Sequence, residues 1–149
     1  MNMKKSILAL AALAFMAWGC SSSDDDSAPK GILEGTDARP TWQVPNYDLY
    51  DQTMNVEVQL QDTLKQYASA ADMMCVKVGD EVRAVADGLQ YDDEWLFQLT
   101  IASNDADISL VLQYYCDKLH RIFTINWTKF DASVAPTGTE GIYKPEFVK

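Results

Sequence analysis

The chain has 149 residues, 22 of them acidic against 12 basic, for a formal charge of -10. A surface this acidic repels phosphate backbones, and no Lys/Arg cluster is present to neutralise several phosphates at once, so nucleic acid is not expected as a partner. The length allows one hydrophobic core and not two.

Lys4 and Lys5 open the chain, residues 7–16 form an apolar run and small residues follow, which is the pattern of a secretory signal peptide over residues 1–19. The run is shorter than the about 20 apolar residues a permanent span needs, so it is expected to be cut rather than kept. Loss of Lys4 and Lys5 with it leaves the mature chain more acidic still. Ala17-Trp18-Gly19-Cys20 resembles a lipobox, in which a small residue precedes a cysteine that is acylated before cleavage; here Ala17 stands where Leu is usual and Trp18 is bulky. The resemblance implies a lipid on Cys20 and attachment to a membrane, the alternative being an ordinary signal peptide that ends near a cysteine.

Residues 20–41 read as a solvated tether, because the stretch after Cys20 is polar, acidic and without an apolar face. Within it Ser23, Asp24, Asp25 and Asp26 resemble the acidic export signal of Bacteroides-type lipoproteins, which implies the outer face of the outer membrane. A generic polar linker is the other reading.

The domain is expected over residues 42–149. Met54, Val56, Val58 and Leu60 alternate with Asn55, Glu57 and Gln59, a period of two that places one set on the buried face of a strand. Residues 62–67 suit a single helical turn. A second strand alternates Met74, Val76 and Val78 with Met73, Cys75 and Lys77. Gly79-Asp80, with Gly at the first central position, suits a type II′ turn into a third strand over residues 82–86. Asp87-Gly88 and Tyr91-Asp92-Asp93 break the pattern. Trp95, Phe97, Leu99 and Ile101 then share one face of a fourth strand, Ser103-Asn104-Asp105 forms a turn, and Ile108, Leu110, Leu112 and Tyr114 define a fifth. A sixth covers residues 119–127. Pro136, Gly138, Gly141 and Pro145 mark an extended tail with room for a short edge strand ending at Phe147. Six to seven short amphipathic strands with regular turns predict an all-β fold, a single antiparallel β-sandwich.

Residues 72–86 are similar to a segment of uncharacterised Bacteroides surface lipoproteins with an immunoglobulin-like β-sandwich module, in which a Gly-Glu-Cys-Arg-Gly type hairpin follows an aliphatic strand. Their later landmarks occur in order: Trp95 to Leu99 as a middle strand, Gln113-Tyr114-Tyr115 closing the next, then Gly138-Thr139 and Pro145. The likeness spans about Met54 to Phe147 and departs at Val82, where those modules often carry Cys, and at Ala84, where they carry Gly. It implies a fold rather than an activity.

Candidate chemistry is sparse. Nucleophilic catalysis by a Ser-His or Cys-His pair needs a histidine within reach, and the only one, His120, is expected to face solvent at the start of the sixth strand. Cys75, Cys116 and His120 lack the spacing of a zinc site. Asp92-Asp93-Glu94 and Asn104-Asp105-Asp107 have the oxygen-rich character calcium favours, but they flank one strand and sit about 25 Å apart at ~3.3 Å per residue. Strand parity puts Cys75 and Cys116 on opposite faces, which favours two free thiols over a disulfide, although a bulge would reverse the count. Trp95 and Trp127 fall on apolar strand faces and read as core. Trp42, Tyr47, Tyr50 and Tyr91 lie outside the strands and form either an exposed ligand platform or a plug for the end of the core.

The sequence therefore predicts a lipid-anchored surface β-sandwich acting as a non-catalytic binding or assembly module. Its partners are membrane lipid through Cys20 and a glycan or surface protein, with no metal or other cofactor. The alternative is an acid-dependent hydrolase, which needs two carboxylates converging in a pocket about 5 to 10 Å apart.

Overall fold

The computed structural model describes residues 34–137 and 140–149. The leader, Cys20, the acidic run Ser23, Asp24, Asp25 and Asp26, and the pair Gly138-Thr139 lie outside the described residues. Among those described, eight strands run in chain order: β1 (Gln52–Gln59), β2 (Met73–Val78), β3 (Glu81–Asp87), β4 (Leu89–Tyr91), β5 (Glu94–Ser103), β6 (Ser109–Cys116), β7 (Arg121–Lys129) and β8 (Ile142–Tyr143). They form two four-stranded sheets, ordered β4-β5-β1-β8 and β3-β2-β6-β7. The protein is a β-sandwich.

Period-two patterning decides which side chains enter the core. Met54, Val56 and Val58 of β1, Phe97, Leu99 and Ile101 of β5, Met74 and Val76 of β2, and Leu110, Leu112 and Tyr114 of β6 are all buried between the sheets. The Val78-to-Glu81 hairpin is present as expected, with Gly79 at φ +60 and Asp80 outside the left-handed region, as a II′ turn requires. Residues 62–67 form a 3₁₀ helix, Asp62–Tyr67, whose Leu64 is fully buried. Burial of that side chain contributes about 2 kcal/mol.

Two short strands raise the count from the expected six or seven to eight. β4 pairs with β5 through Leu89↔Leu96, Gln90↔Trp95 and Tyr91↔Glu94, and three residues are too few to display a period in the sequence. Gly88 carries the chain from β3 in one sheet to β4 in the other. A Cβ there would lie 3.1 Å from the Ser69 carbonyl oxygen, a tight approach that any larger residue would have to push back by a few tenths of an ångström. The tail strand appears as β8, which stops at Tyr143, before Pro145, rather than reaching Phe147. It pairs parallel to β1 at Glu57 and Val58, the one departure from an antiparallel arrangement. Phe147 instead packs against Tyr114 and Phe123, at ring-centroid distances of 5.6 and 6.5 Å. It helps close the side of the sandwich where β7 and β8 are both edge strands.

The domain also begins earlier than composition indicated. The compact unit runs Glu34–Lys149, so residues 34–41, expected in the tether, belong to it. The Gly35 and Asp37 amides donate to the carbonyls of Leu119 and His120, and the Asp37 carboxylate accepts from the Ile122 amide at 2.8 Å. These partners lie over 80 residues away in sequence, which is why a polar segment looked unattached.

Candidate functional site

Residues 34–51 form an arm that crosses the outer face of the β3-β2-β6-β7 sheet before entering β1. Three cation–π contacts mark its path. The Arg39 guanidinium lies 5.9 Å from the Tyr115 ring centre, the Lys77 ammonium 5.9 Å from Trp42, and the Arg83 guanidinium 4.8 Å from Tyr50. Arg39 also donates to the Ala71 carbonyl at 2.6 Å. This cover explains why outward-facing Met73, Cys75 and Tyr115 are buried on a face the sequence left open to solvent.

The four aromatic residues expected as one platform are not brought together. Trp42 is part-buried against Lys77. Tyr50 stacks on Arg83 and donates its hydroxyl hydrogen to the Glu81 carboxylate, which helps hold that carboxyl below its usual range. The Tyr47 hydroxyl donates to the Thr100 carbonyl at 2.8 Å. These three surround the β2-β3 hairpin and the neighbouring end of β5. Tyr91, 68% exposed, sits in the β4-β5 hairpin, six residues of strand from Thr100 and so about 20 Å away.

Tyr47 and Arg83 share a structural task. β4 covers the outer edge of β5 only as far as Leu96. Beyond it, the edge carbonyl of Thr100 accepts from Tyr47 and that of Ala102 accepts from Arg83 at 3.0 Å. An unpaired edge is a template for pairing with another chain, and these two side chains occupy it. Arg83 is the extra residue where the β2-β3 register shifts, and the bulge turns it inward to 9% exposure.

Sequence reasoning missed the buried carboxylate of Asp72, which is 0% exposed. It accepts from the Ser69 amide at 3.1 Å, the Ser69 hydroxyl at 3.3 Å, the Tyr114 hydroxyl at 2.6 Å and the Asp117 amide at 3.0 Å. Ser69 to Asp72 is a readable local spacing, but Tyr114 and Asp117 reach it only through the fold. Burial, with the carboxylate alongside, pushes the Tyr114 phenol far above its ordinary range.

The remaining candidates take ordinary places. His120 is exposed in the turn before β7, at φ 47, not within the strand. Asp92 and Asp107, at φ 49 and 58, hold left-handed turn positions. Asn104 accepts from the Asp51 amide and donates to the Leu49 carbonyl, fastening the arm, and Glu94 pairs with Lys65 at 2.7 Å. Among the described residues, no three His, Cys, Asp or Glu side chains converge as metal ligands. Cys75 and Cys116 are free and buried on opposite faces of their sheet, and burial pushes the Cys75 thiol up to about 12.

Among the described residues, three surface grooves differ in how their polar groups are used. In one of about 340 Å³, Gln61 bonds to the backbone of Phe147 and Val148, while Asp62 pairs with Lys65 and Lys144. In one of about 260 Å³, Asn55 and Thr100 bond to each other at 2.9 Å. The third, of about 760 Å³, lies over the paired ends of β6 and β7 and is lined by Ser109, Leu110, Val111, Asn126, Trp127, Thr128 and Lys129. Among the described residues, no hydrogen bond or ion pair engages the side chains of its Ser109, Asn126, Thr128 or Lys129. Trp127, expected in the core, keeps the inward parity of Phe123 but is only part-buried, because β7 is an edge strand and the ring is covered from the other sheet by Tyr143. No protein-family model, curated protein or solved structure matches this chain.

Proposed function

We propose that the chain is a lipid-anchored outer-membrane lipoprotein, displayed on the cell surface, whose sandwich is a non-catalytic binding or assembly module for a glycan or a protein partner. The anchor and its address rest on the sequence pattern of apolar leader, Cys20 and the acidic residues Ser23, Asp24, Asp25 and Asp26 behind it. Kinship with immunoglobulin-type modules is part of the same proposal. It rests on the resemblance of residues 72–86, and the two-sheet sandwich is the architecture such modules share.

The observation that carries the non-catalytic reading is the state of the carboxylates. A hydrolase of the paired-acid type needs one carboxyl whose pKa is raised so that it holds its proton near neutrality. The displaced carboxyls among the described residues, Asp62, Glu81 and Asp131, are all displaced downward by hydrogen bonds or cations. Asp72 is enclosed by four donors and presents nothing to a substrate.

Membrane fractionation tests the anchor. Cys20→Ser is expected to release the protein from membranes, and continued attachment would overturn the lipoprotein reading. Joint replacement of Asp24, Asp25 and Asp26 by Ala is expected to lower protease accessibility on intact cells, whereas unchanged accessibility would count against surface display.

A further inference from the structure

The β6-β7 groove combines three properties. It is wide enough for a small oligosaccharide, at about 760 Å³, within the range of ligand sites. It contains a part-buried indole whose orientation is fixed by Tyr143, with ring centres 5.2 Å apart and planes at 79°. Among the described residues its polar side chains have no hydrogen-bond or ion-pair partner, in contrast to those of the Gln61 and Asn55 grooves. The extra residue of β7 falls at Trp127 and Thr128, and the register change brings Lys129 opposite Ser109.

A sugar matches this lining better than an apolar ligand. One face of a pyranose is made of C–H groups, which stack on an indole, while its hydroxyls both donate and accept hydrogen bonds. Ser109, Asn126 and Thr128 provide both capacities. An apolar occupant would strip these groups of water and return no hydrogen bond. Charge narrows the class further. The chain carries 22 acidic residues, yet none lines this groove, and Lys129 supplies its single cation.

The geometry points to a saccharide site in the β6-β7 groove, with Trp127 as the stacking surface and Lys129 as the contact for the carboxylate of a uronic acid. It deepens the binding-module reading and rests on it. The groove is separate from the Trp42, Tyr47 and Tyr50 cluster, whose rings and hydroxyls are already engaged by Lys77, Thr100 and Arg83.

The test is calorimetric titration of the full chain in detergent with tetrasaccharides of galacturonate, of mannuronate and of a glucuronate–hexosamine repeat, with maltotetraose and cellotetraose as neutral controls. Amide chemical-shift mapping accompanies it. At least one uronate is expected to bind saturably, at least tenfold tighter than the neutral sugars, with shifts concentrated at residues 109–111 and 126–129. Lys129→Gln is expected to weaken it about tenfold and Trp127→Phe several-fold. Should Trp127→Phe fail to fold, Asn126→Ala and Lys129→Gln, both at exposed positions, carry the test. Absence of uronate binding, or unchanged affinity in Lys129→Gln, overturns the proposal. Saccharide binding that maps to residues 42–50 instead overturns this site while leaving the binding-module reading in place.

Discussion

The two flanks of the β3-β2-β6-β7 sheet treat their polar and aromatic groups in opposite ways. On the β2-β3 flank the arm spends Trp42, Tyr47 and Tyr50 on Lys77, the Thr100 carbonyl and Arg83, and at the far end of β2 Asp72 takes four hydrogen bonds. On the β6-β7 flank Ser109, Asn126, Thr128 and Lys129 surround a part-buried indole and bond to nothing in the described chain. Residue type alone does not separate a binding surface from a brace. What separates them is whether the fold has already satisfied the groups, and each half of that contrast can be tested by substitution.

The largest effect is expected at Asp72. Asp72→Ala leaves two backbone amides and the Tyr114 hydroxyl without their acceptor in a buried setting, a loss of about 3 kcal/mol. Chemical denaturation measures it, and a loss under about 1 kcal/mol would show that water replaces the carboxylate and that this flank is not braced through it. Arg83→Met comes next, at about 2 kcal/mol, because it removes the bond to the Ala102 carbonyl and the stacking on Tyr50 together. A stability equal to wild type would mean that the β5 edge needs no cover.

These two residues also show what was legible in the sequence. Strands, the Gly79-Asp80 hairpin and the helical turn over residues 62–67 follow from local rules, the period of two and turn chemistry, and they stand in the structure where those rules put them. Asp72 and Arg83 did not stand out, for two reasons. The partners of Asp72 are up to 45 residues away. Arg83 sits at a bulge, where one extra residue shifts a side chain from the face that parity assigns. The arm failed to register for a third reason: its anchoring runs through backbone amides and single side chains rather than through an apolar pattern.

A smaller effect is expected from Tyr47→Phe. It deletes the hydroxyl donated to the Thr100 carbonyl and nothing else, so the loss is about 0.5–1 kcal/mol. Thermal melts read it, and an undiminished melting temperature would remove Tyr47 from the bracing set.

The groove built on Asp62 gives a pH-dependent version of the same contrast. Hydrogen bonds and charge from Lys144 and Lys65 lower the Asp62 carboxyl from 3.8 to about 2. A folded pKa below the unfolded value means that this contribution is complete above about pH 4 and disappears as pH falls through about 2. The melting-temperature gap between wild type and Asp62→Asn is therefore expected to be present at pH 6 and largely lost by pH 2. The carboxylate is fully exposed, so the gap is small and shrinks in salt. A gap as large at pH 2 as at pH 6 would mean that the ionised form is not what holds Lys144.

The smallest effect is the most telling for the uncommitted flank. Ser109→Ala and Asn126→Ala remove groups with no partner in the described chain, both at exposed positions, so each is expected to change stability by less than about 0.5 kcal/mol. Near-neutral substitutions would mean that the fold does not need these side chains, as a surface reserved for a ligand requires. A loss above about 1 kcal/mol at either position would give it a structural task and erase the difference between the two flanks. Denaturant midpoints for both variants, measured beside Asp72→Ala and Tyr47→Phe under identical conditions, place all four on one scale, and the comparison holds only if the two groove variants fall below the other two.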